Sequence, residues 1–266
     1  MKITAENSEY QIIYSLKTNR VKRNKLQEIF IEGIECIKQA INADMEITRI
    51  IIEVKRDLSN WGKNIIETNK RANIIYMSDK LYGELADKTN PSEMLVTVKM
   101  KKYNIDDITE KNPFILVFDR PCDHGNLGSI IRSANAFNVD AIFIIGHGVD
   151  IYESKVIRAS LGSVFFTKII LMESMEKLIE YIKYQKNINK MEIIGTDSDG
   201  AVSLNNLEIK RPVMLILGNE AKGISVKLKE NCDRIVSIPV NGNVNSLNVS
   251  CAASILMWEI FKGNHE

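Results

Sequence analysis

The chain has 266 residues, more than the usual single domain of about 100 to 150 residues, so two domains are expected. With 45% hydrophobic and 26% charged residues it has a globular composition, and no apolar run approaches the roughly 20 residues needed to cross a bilayer. The first residues lack a secretory apolar region, so we expect a cytoplasmic protein with no membrane segment.

Charge is unevenly distributed, although the formal net charge is only +1. Residues 1–105 carry 18 Lys and Arg against 14 Asp and Glu, whereas residues 106–266 carry 17 against 20. The basic excess is concentrated in residues 17–25, where five of nine residues are cations. A short cation run is more often a solvated helix face. It could also neutralise phosphates, and four of its members are predicted RNA contacts: Arg20, Lys22, Arg23 and Lys25.

Cysteines are dispersed along the chain, at Cys36, Cys122, Cys232 and Cys251. They form no Cys-x-x-Cys pair and have no histidine at metal-ligand spacing, which argues against both a disulfide framework and a zinc site. We therefore expect reduced cysteines that lie mostly in the core, and no bound metal.

The first hundred residues alternate short apolar runs with amphipathic stretches, which predicts a small α/β unit. The strand-like runs are residues 29–33, 50–54, 74–77 and 94–98, and the amphipathic stretches are residues 34–43, 61–70 and 81–86. Residues 100–113 are polar, weakly patterned and closed by a proline, which favours a linker. We place the domain boundary so that residues 1–107 form the first domain and residues 108–266 the second.

The second region repeats the alternation with continuous apolar runs. They are residues 114–118, 141–145, 168–171, 191–195, 213–217 and 234–238. Continuous apolar strands separated by helices predict a parallel sheet covered on both faces, and ligands of such sheets bind outside the carboxyl ends of the strands. Residues 246–261 carry one charge, Glu259, so we expect a helix buried in the domain or against another subunit.

Three segments of this region share one form, a strand followed by a polar loop and a helix. They are Asn126-Leu-Gly-Ser-Ile-Ile-Arg132, Leu217-Gly-Asn-Glu-Ala-Lys-Gly223 and Ile238-Pro-Val-Asn-Gly-Asn-Val-Asn-Ser-Leu-Asn-Val249. Three such loops could converge on one small-molecule site. Arg132 lies off the apolar stripe of its helix, so its guanidinium can face that cleft and meet a phosphate or a developing oxyanion.

The same residues also have plain structural explanations. Asn126 and Ser246 stand where helix N-caps are expected, and Glu220 precedes a helix expected to begin near Ile224, whose dipole a carboxylate complements. Arg132 could be an exposed surface residue. A glycine pair flanks His147 after a strand, but the third glycine of a dinucleotide fingerprint and any phosphate-binding Gly-Lys-Ser/Thr loop are missing, so an ordinary nucleotide fold is disfavoured.

In this order and spacing, the three segments resemble the signature motifs of the SpoU family of RNA ribose 2′-O-methyltransferases, in the SPOUT or α/β-knot superfamily. The likeness covers residues 114–261, with Val240 standing where many relatives carry Met. Residues 1–105 resemble the family's ribosomal-protein-like RNA-binding domain, with Phe30-Ile-Glu-Gly33 as a weaker mark. The resemblance implies an α/β fold, in which a parallel-sheet α/β trefoil-knot catalytic domain follows a smaller N-terminal α/β RNA-binding domain.

The resemblance also implies S-adenosylmethionine as the cofactor, bent in the knot, and a homodimer whose last helices pack together. It assigns the cofactor contacts to Thr196, Leu217, Gly218, Ile238, Val240 and Leu247. Because a guanidinium stays protonated in proteins, we expect Arg132 to grip the target phosphate and stabilise the forming alkoxide rather than act as the base. Four residues would hold Arg132 and the ribose in line: Asn126, Glu220, Ser246 and Asn248.

The expected substrate is 23S ribosomal RNA, because by resemblance the extra N-terminal domain accompanies the members that act on ribosomal RNA. Two alternatives are a transfer RNA 2′-O-methyltransferase and a knot protein that binds RNA without catalysis. A small-molecule α/β enzyme with a nucleotide cofactor would show no RNA affinity, and the missing glycine fingerprint disfavours it.

Overall fold

The computed structural model describes residues 1–86, 91–204 and 208–264. Its helices and strands run, in chain order, from β1 (Lys2–Ile3) through α1 (Ser8–Thr18), α2 (Arg20–Leu26), β2 (Glu28–Glu32), α3 (Ile34–Asn42), β3 (Ile47–Glu53), α4 (Asn60–Thr68), β4 (Asn73–Met77), α5 (Asp79–Leu85) and β5 (Leu95–Lys99). They continue with β6 (Phe114–Asp119), α6 (His124–Ala136), β7 (Ala141–Ile145), α7 (Ser154–Ala159), β8 (Ile169–Leu171), α8 (Met175–Asn189), β9 (Glu192–Thr196), β10 (Val202–Ser203), β11 (Val213–Leu217), α9 (Val226–Lys229), β12 (Arg234–Ser237) and α10 (Val249–Lys262).

The chain forms two compact units. Unit 1 comprises residues 1–101 and 150–165, and unit 2 comprises residues 102–149 and 166–266. The prediction placed a single boundary between residues 107 and 108, and so assigned the segment with α7 to the second domain. In the structure that segment belongs to unit 1. Its residues Val156 and Ile157 are buried, and α7 packs against β2. The carbonyl oxygen of Ile157 also accepts a hydrogen bond from Cys36 Sγ, at 3.7 Å.

Unit 1 is built on a five-stranded mixed sheet in the order β1-β4-β3-β5-β2. β4 is parallel to β1 and β3, whereas β5 is antiparallel to β3 and β2. The four strands and three helices predicted from the alternation in residues 28–100 are all present. The pattern missed β1, which has only two residues, and the helix pair α1 and α2.

Unit 2 is built on seven parallel strands in the order β10-β12-β9-β11-β6-β7-β8. Every residue of β6, β7 and β11 is buried, which confirms the parallel sheet predicted from the continuous apolar runs. The chain moves from β6 outward to β7 and β8, then crosses to the other side of β6, where β11 lies between β6 and β9. The loops after β6, β9, β11 and β12 therefore leave the same carboxyl edge, where a switch in strand order makes room for a ligand.

The boundary between the two units falls inside the predicted linker, at residues 101 and 102, and residues 102–113 belong to unit 2. Residues 105–107 form a 3-10 turn that Asn104 caps. The side chains of Tyr103, Ile105 and Ile108 pack against the core beneath the parallel sheet. The chain therefore does pass from one unit to the other in this segment, but the weak pattern concealed three apolar anchors that pack its larger part against unit 2.

The last helix, α10, packs one face against α6 and leaves another exposed. Ala253, Leu256 and Met257 are buried on the packed face, whereas Trp258 is 47% exposed. The ring of Trp258 lies beside the rings of Phe137 and Phe261, with centroids 5.8 and 5.9 Å away. This chain alone therefore buries only part of a helix that carries a single acidic residue.

The cysteines do not lie mostly in the core. Cys36 is buried and Cys232 is partly buried, but Cys122 and Cys251 are exposed, and within the described residues none of the four forms a disulfide. The prediction failed because Cys122 lies in the loop after β6 and Cys251 lies in the first turn of α10, where both are exposed.

Candidate active site

Loops at the carboxyl edge of unit 2 line a cavity of about 480 Å³. Its lining includes residues from all three segments that the sequence singled out. Nine predicted site residues lie in the wall: Asn126, Thr196, Gly218, Glu220, Ile238, Val240, Ser246, Leu247 and Asn248. The three segments thus meet at one site, as expected of loops that leave one edge of a parallel sheet.

Two predicted residues do not line this cavity. Leu217 ends β11 with its side chain 1% exposed, so only its backbone is available for the predicted cofactor contact. Arg132 lies exposed on α6 and, among the residues that the structure describes, makes no hydrogen bond or ion pair. It follows Asn126 by six positions, which is about 240° around a helix, so the two side chains project from different faces.

A chain of hydrogen bonds joins the polar residues of the three segments. The Nδ2 of Asn248 donates to Oδ1 of Asn126 at 3.0 Å, and Nδ2 of Asn126 donates to Oε1 of Glu220 at 3.4 Å. Cys122 Sγ donates to the other carboxylate oxygen of Glu220, at 2.8 Å. These residues therefore hold one another and not Arg132, which corrects the expectation that they orient its guanidinium.

The direction of this chain is fixed at both ends. Oδ1 of Asn248 accepts from the backbone N of Ser250 at 2.8 Å and from its hydroxyl at 2.6 Å, so its amide nitrogen must point to Asn126. At the other end, Glu220 only accepts when ionised. The hydrogen bond to Glu220 is also the main cause that raises the pKa of Cys122, so the thiol stays a protonated donor.

The helix caps near the cavity differ from the predicted ones. Asp123 caps α6 by accepting from the backbone N of Asn126 at 2.7 Å, so the predicted cap role of Asn126 was wrong. The cap of α10 is Asn248 rather than the predicted Ser246, which lies two residues before it in the exposed loop. In both helices the cap is another polar residue, two or three positions from the predicted one.

The loop that carries Glu220 is a tight backbone turn. Asn219 and Gly223 exchange backbone hydrogen bonds of 3.1 and 2.8 Å, and Gly223 has a left-handed φ of +64°. A Cβ on Gly218 would lie 2.3 Å from the carbonyl carbon of Gly223, so the doubled-back loop itself demands a glycine there. The helix expected near Ile224 begins at Val226 and has only four residues. Glu220 is therefore too far from its N-terminus to complement the helix dipole.

Sequence reasoning missed several residues of the wall. Asp197, Asn219 and Lys222 all line the cavity. Asp197 directly follows Thr196 at the end of β9. Its position at the carboxyl end of a predicted strand is visible in the sequence and could have marked it as a site residue. Its carboxylate pairs with Lys229, which lowers the pKa of Asp197.

The residues present fit the expected cofactor. The cavity volume lies within the range of about 300 to 1,000 Å³ of small-molecule sites. Its wall combines the apolar side chains of Ile238, Val240 and Leu247 with polar groups. Thr196 already donates its hydroxyl proton to the carbonyl of Ile216 at 3.1 Å, so its oxygen remains an acceptor for a ligand donor.

The cation run of unit 1 divides into exposed and buried members. Arg20, Lys22 and Lys25 are exposed, in keeping with a surface that RNA could reach. Arg23 is 2% exposed, pairs with Asp150 at 2.6 Å, and donates to the backbone oxygen of Leu16 at 2.8 Å. The prediction of Arg23 as an RNA contact was therefore wrong, because its guanidinium is buried and hydrogen-bonded inside unit 1.

No group of His, Cys, Asp and Glu in the described ranges could hold a metal ion. Likewise, none of the helices in the part of the chain that the structure describes has the length and apolar character of a membrane span.

Comparison with known proteins adds independent evidence. The sequence profile of the SpoU rRNA Methylase family matches residues 113–258, and that of the SpoU L30e-like domain matches residues 7–97. A 23S rRNA (uridine(2479)-2'-O)-methyltransferase of Streptomyces viridochromogenes is 31% identical over 261 residues, which cover 97% of this chain and 91% of that protein. A putative TrmH family tRNA/rRNA methyltransferase of Staphylococcus saprophyticus is 29% identical, with 89% and 96% covered.

A solved structure matches over nearly the whole chain. The crystal structure of the SpoU methyltransferase AviRb from Streptomyces viridochromogenes, in complex with the cofactor AdoMet, superposes with a TM-score of 0.89 at 30% identity. The superposition covers 97% of this chain and 98% of that one.

Proposed function

Because the chain belongs to the SpoU rRNA Methylase family, we propose that it transfers a methyl group from S-adenosylmethionine to a ribose 2′-oxygen of 23S ribosomal RNA. The observation that carries the proposal is the meeting of three separate segments around one cavity at the carboxyl edge of unit 2. RNA ribose 2′-O-methylation is the activity of the family, and S-adenosylmethionine is its cofactor.

The cofactor site comprises the cavity wall between the loops after β9, β11 and β12. The cofactor is held by the backbone of Leu217 and by five residues of the wall, through their side chains or backbone groups. These five are Thr196, Gly218, Ile238, Val240 and Leu247. When bound there, S-adenosylmethionine supplies a methyl group on an electrophilic sulfonium. The apolar residues exclude water from one side of the site, and the turn at Gly218 brings backbone groups to its edge.

The protein's own contribution is to place and polarise the 2′-hydroxyl. Asn126, Glu220 and Asn248 form a fixed row of donors and acceptors at the mouth of the cavity, which suits them to orient a ribose. Ser246 lies in the same wall and offers a further hydroxyl. Arg132 is exposed and unpaired among the described residues, so it is available to grip a phosphate of the RNA and to stabilise a forming alkoxide.

A trefoil knot and a homodimer belong to the same proposal. Strand β11 lies beside β6 and α10 packs on α6, an arrangement that is compatible with a C-terminal segment threaded through a loop. The exposed Trp258 and Ile255, 47% and 38% accessible, leave an apolar face on α10 that a second copy of the chain would cover.

Unit 1 is proposed to bind the RNA. It carries the basic excess of the chain, and Arg20, Lys22 and Lys25 are exposed on one short stretch. The similarity to a 23S ribosomal RNA enzyme over 97% of the chain, including this unit, favours ribosomal RNA over transfer RNA and a cytoplasmic place of action. Transfer RNA remains the second candidate, since another relative is named for both RNAs.

The test is methyl transfer from labelled S-adenosylmethionine to purified 23S ribosomal RNA and transfer RNA in parallel reactions. We expect label in 23S ribosomal RNA, at a linkage that resists alkaline hydrolysis because its 2′-oxygen is blocked. Label in transfer RNA alone would replace the substrate by the second candidate. Cofactor and RNA binding without transfer to either RNA would favour a non-catalytic RNA-binding knot protein.

A further inference from the structure

An aspartate and an arginine at the end of β6 form a bidentate ion pair that the proposed mechanism does not use. Asp119, the last residue of the strand, has a fully buried side chain. The next residue, Arg120, donates from Nε to Oδ1 at 2.7 Å and from Nη2 to Oδ2 at 2.9 Å. Two parallel charge-assisted hydrogen bonds fix both side chains. The carboxylate raises the pKa of Arg120, and neither residue lines the cavity.

Both members of the pair also hold the loop that carries Glu220. Nη2 of Arg120 donates to the carbonyl oxygen of Gly223 at 3.3 Å, and Oδ2 of Asp119 accepts from the backbone N of Ser225 at 2.8 Å. Asn219 adds a third attachment, because its Nδ2 donates to the carbonyl oxygen of Arg120 at 2.8 Å. The loop is thus fastened at its start and at its end to the same two residues.

The neighbouring strand is shaped to admit this arginine. Gly146 follows β7 with a φ of +79°, and a Cβ there would lie 2.7 Å from Cγ of Arg120. Arg120 itself adopts a left-handed φ of +54°, a conformation that arginine seldom takes without support. Its backbone N donates to the carbonyl oxygen of Ile145 at 2.9 Å. Part of the glycine pair around His147 therefore has a packing role beside Arg120.

We propose that Asp119 and Arg120 are positioning residues for the cofactor pocket, which set the place of the loop at residues 218–224 and of Glu220 within it. Ile224 anchors the end of the loop in the core, but Glu220, Ala221 and Lys222 are exposed, so without the pair the part of the loop that precedes Ile224 would open readily. A pocket whose wall is already in place binds more tightly, because ordering the wall no longer opposes binding. The identity of the ligand rests on the proposed function, but the fastening of the loop does not.

The amino edge of the same sheet provides a matched control. Arg211 Nη1 pairs with Oδ2 of Asp140 at 3.2 Å, and that oxygen accepts from the backbone N of Phe114 at 2.7 Å. Nη2 of Arg211 donates to the carbonyl oxygen of Asn138 at 2.6 Å. This pair joins the same two residue types through one hydrogen bond and fastens backbone beside the same central strand, but at the end away from the cavity.

The experiment compares Arg120→Lys and Asp119→Asn with Arg211→Lys and Asp140→Asn in the full chain. Lysine keeps the charge but cannot bridge both carboxylate oxygens and a carbonyl. Calorimetry gives the Kd for S-adenosylmethionine, and hydrogen exchange without ligand reports on the amides of residues 219–225. We expect Arg120→Lys to weaken cofactor binding at least tenfold and to speed exchange in the loop. The amino-edge variants should lower Tm and change the Kd less than twofold.

Two results would overturn the proposal. One is unchanged loop exchange in a folded Arg120→Lys protein, and the other is an equal loss of cofactor affinity in the two pairs of variants. If Asp119→Asn does not fold, Arg120→Lys decides. If the unaltered chain binds no S-adenosylmethionine while loop exchange responds as expected, the proposed function fails and the positioning role stands.

Discussion

The two units place their functionally suggestive polar residues in different surroundings. In unit 1, Arg23 of the basic run is buried and pairs with Asp150, and Arg49 pairs with Glu9 and Glu28. In unit 2, Asn126, Glu220 and Asn248 at the carboxyl edge form a hydrogen-bonded row of side chains that line a cavity. A cation in a suggestive run can therefore be structural, whereas a polar residue after a buried parallel strand is placed where ligands bind.

The largest expected effect of a single change is on the stability of unit 1. Arg23→Ala should lower the free energy of unfolding by about 3 to 5 kcal/mol, because it leaves the carboxylate of Asp150, 13% exposed, without its partner. Denaturant titration measures the change. The exposed Lys25→Ala, from the same run, should stay within about 0.5 kcal/mol. Equal effects of the two substitutions would mean that the run has no buried member.

A comparable effect, on catalysis alone, is expected in unit 2. Arg132→Ala should reduce kcat for RNA methylation about 100- to 1,000-fold, the cost of removing one electrostatic stabiliser of a developing charge. The Kd for S-adenosylmethionine should change less than twofold, since Arg132 does not line the cavity. Arg132→Lys should recover part of the rate through its charge. Full activity of a folded Arg132→Ala protein would remove Arg132 from the mechanism.

A moderate effect is expected on RNA binding by unit 1. Replacing Arg20, Lys22 and Lys25 by Gln should reduce the slope of log K against log salt by about 2 to 3, because up to three phosphate contacts are lost. Cofactor affinity should not change. A control of equal charge replaces three exposed lysines elsewhere on unit 1, Lys63, Lys70 and Lys80. If both triple variants flatten the salt dependence equally, RNA does not recognise the predicted run.

The smallest expected effect concerns the thiol of Cys122. Glu220 raises the pKa of Cys122, so less of the reactive thiolate is present near pH 8 than in an ordinary exposed cysteine. Glu220→Gln should lower that pKa and speed alkylation of Cys122 by iodoacetamide several-fold, with exposed Cys251 as the internal reference. Mass spectrometry of the two peptides reads out the rates. No change in Glu220→Gln would show that the hydrogen bond does not form in solution.

The pattern of apolar residues predicted most strands. Strands that are buried on both faces, such as β6, β7 and β11, consist of continuous apolar runs that are easily recognised. The pattern missed β1 and β10, which have two residues each and rely on neighbours for their pairing. It also assigned α7 to the wrong unit, since nothing in a six-residue helix says which sheet it covers.

At the candidate site, too, the sequence motifs predicted some features, whereas others depend on contacts between residues that are far apart in the chain. Motif order and spacing were enough to bring Asn126, Glu220 and Asn248 together. The sequence pattern could not predict the burial of Arg23, because its partner Asp150 lies 127 residues away along the chain. Cys122 and the pair of Asp119 and Arg120 carry no motif, so only coordinates show that they fasten or contact the loop with Glu220.

The central claim is that S-adenosylmethionine binds at the carboxyl edge of unit 2 and not in unit 1. Hydrogen exchange with and without saturating cofactor tests it most directly, because it reports on both units in one experiment. We predict protection confined to the loops at residues 217–224 and 238–249 and to the end of β9, with unit 1 unchanged. Protection centred in unit 1, or none in these loops when calorimetry shows binding, would contradict the assignment.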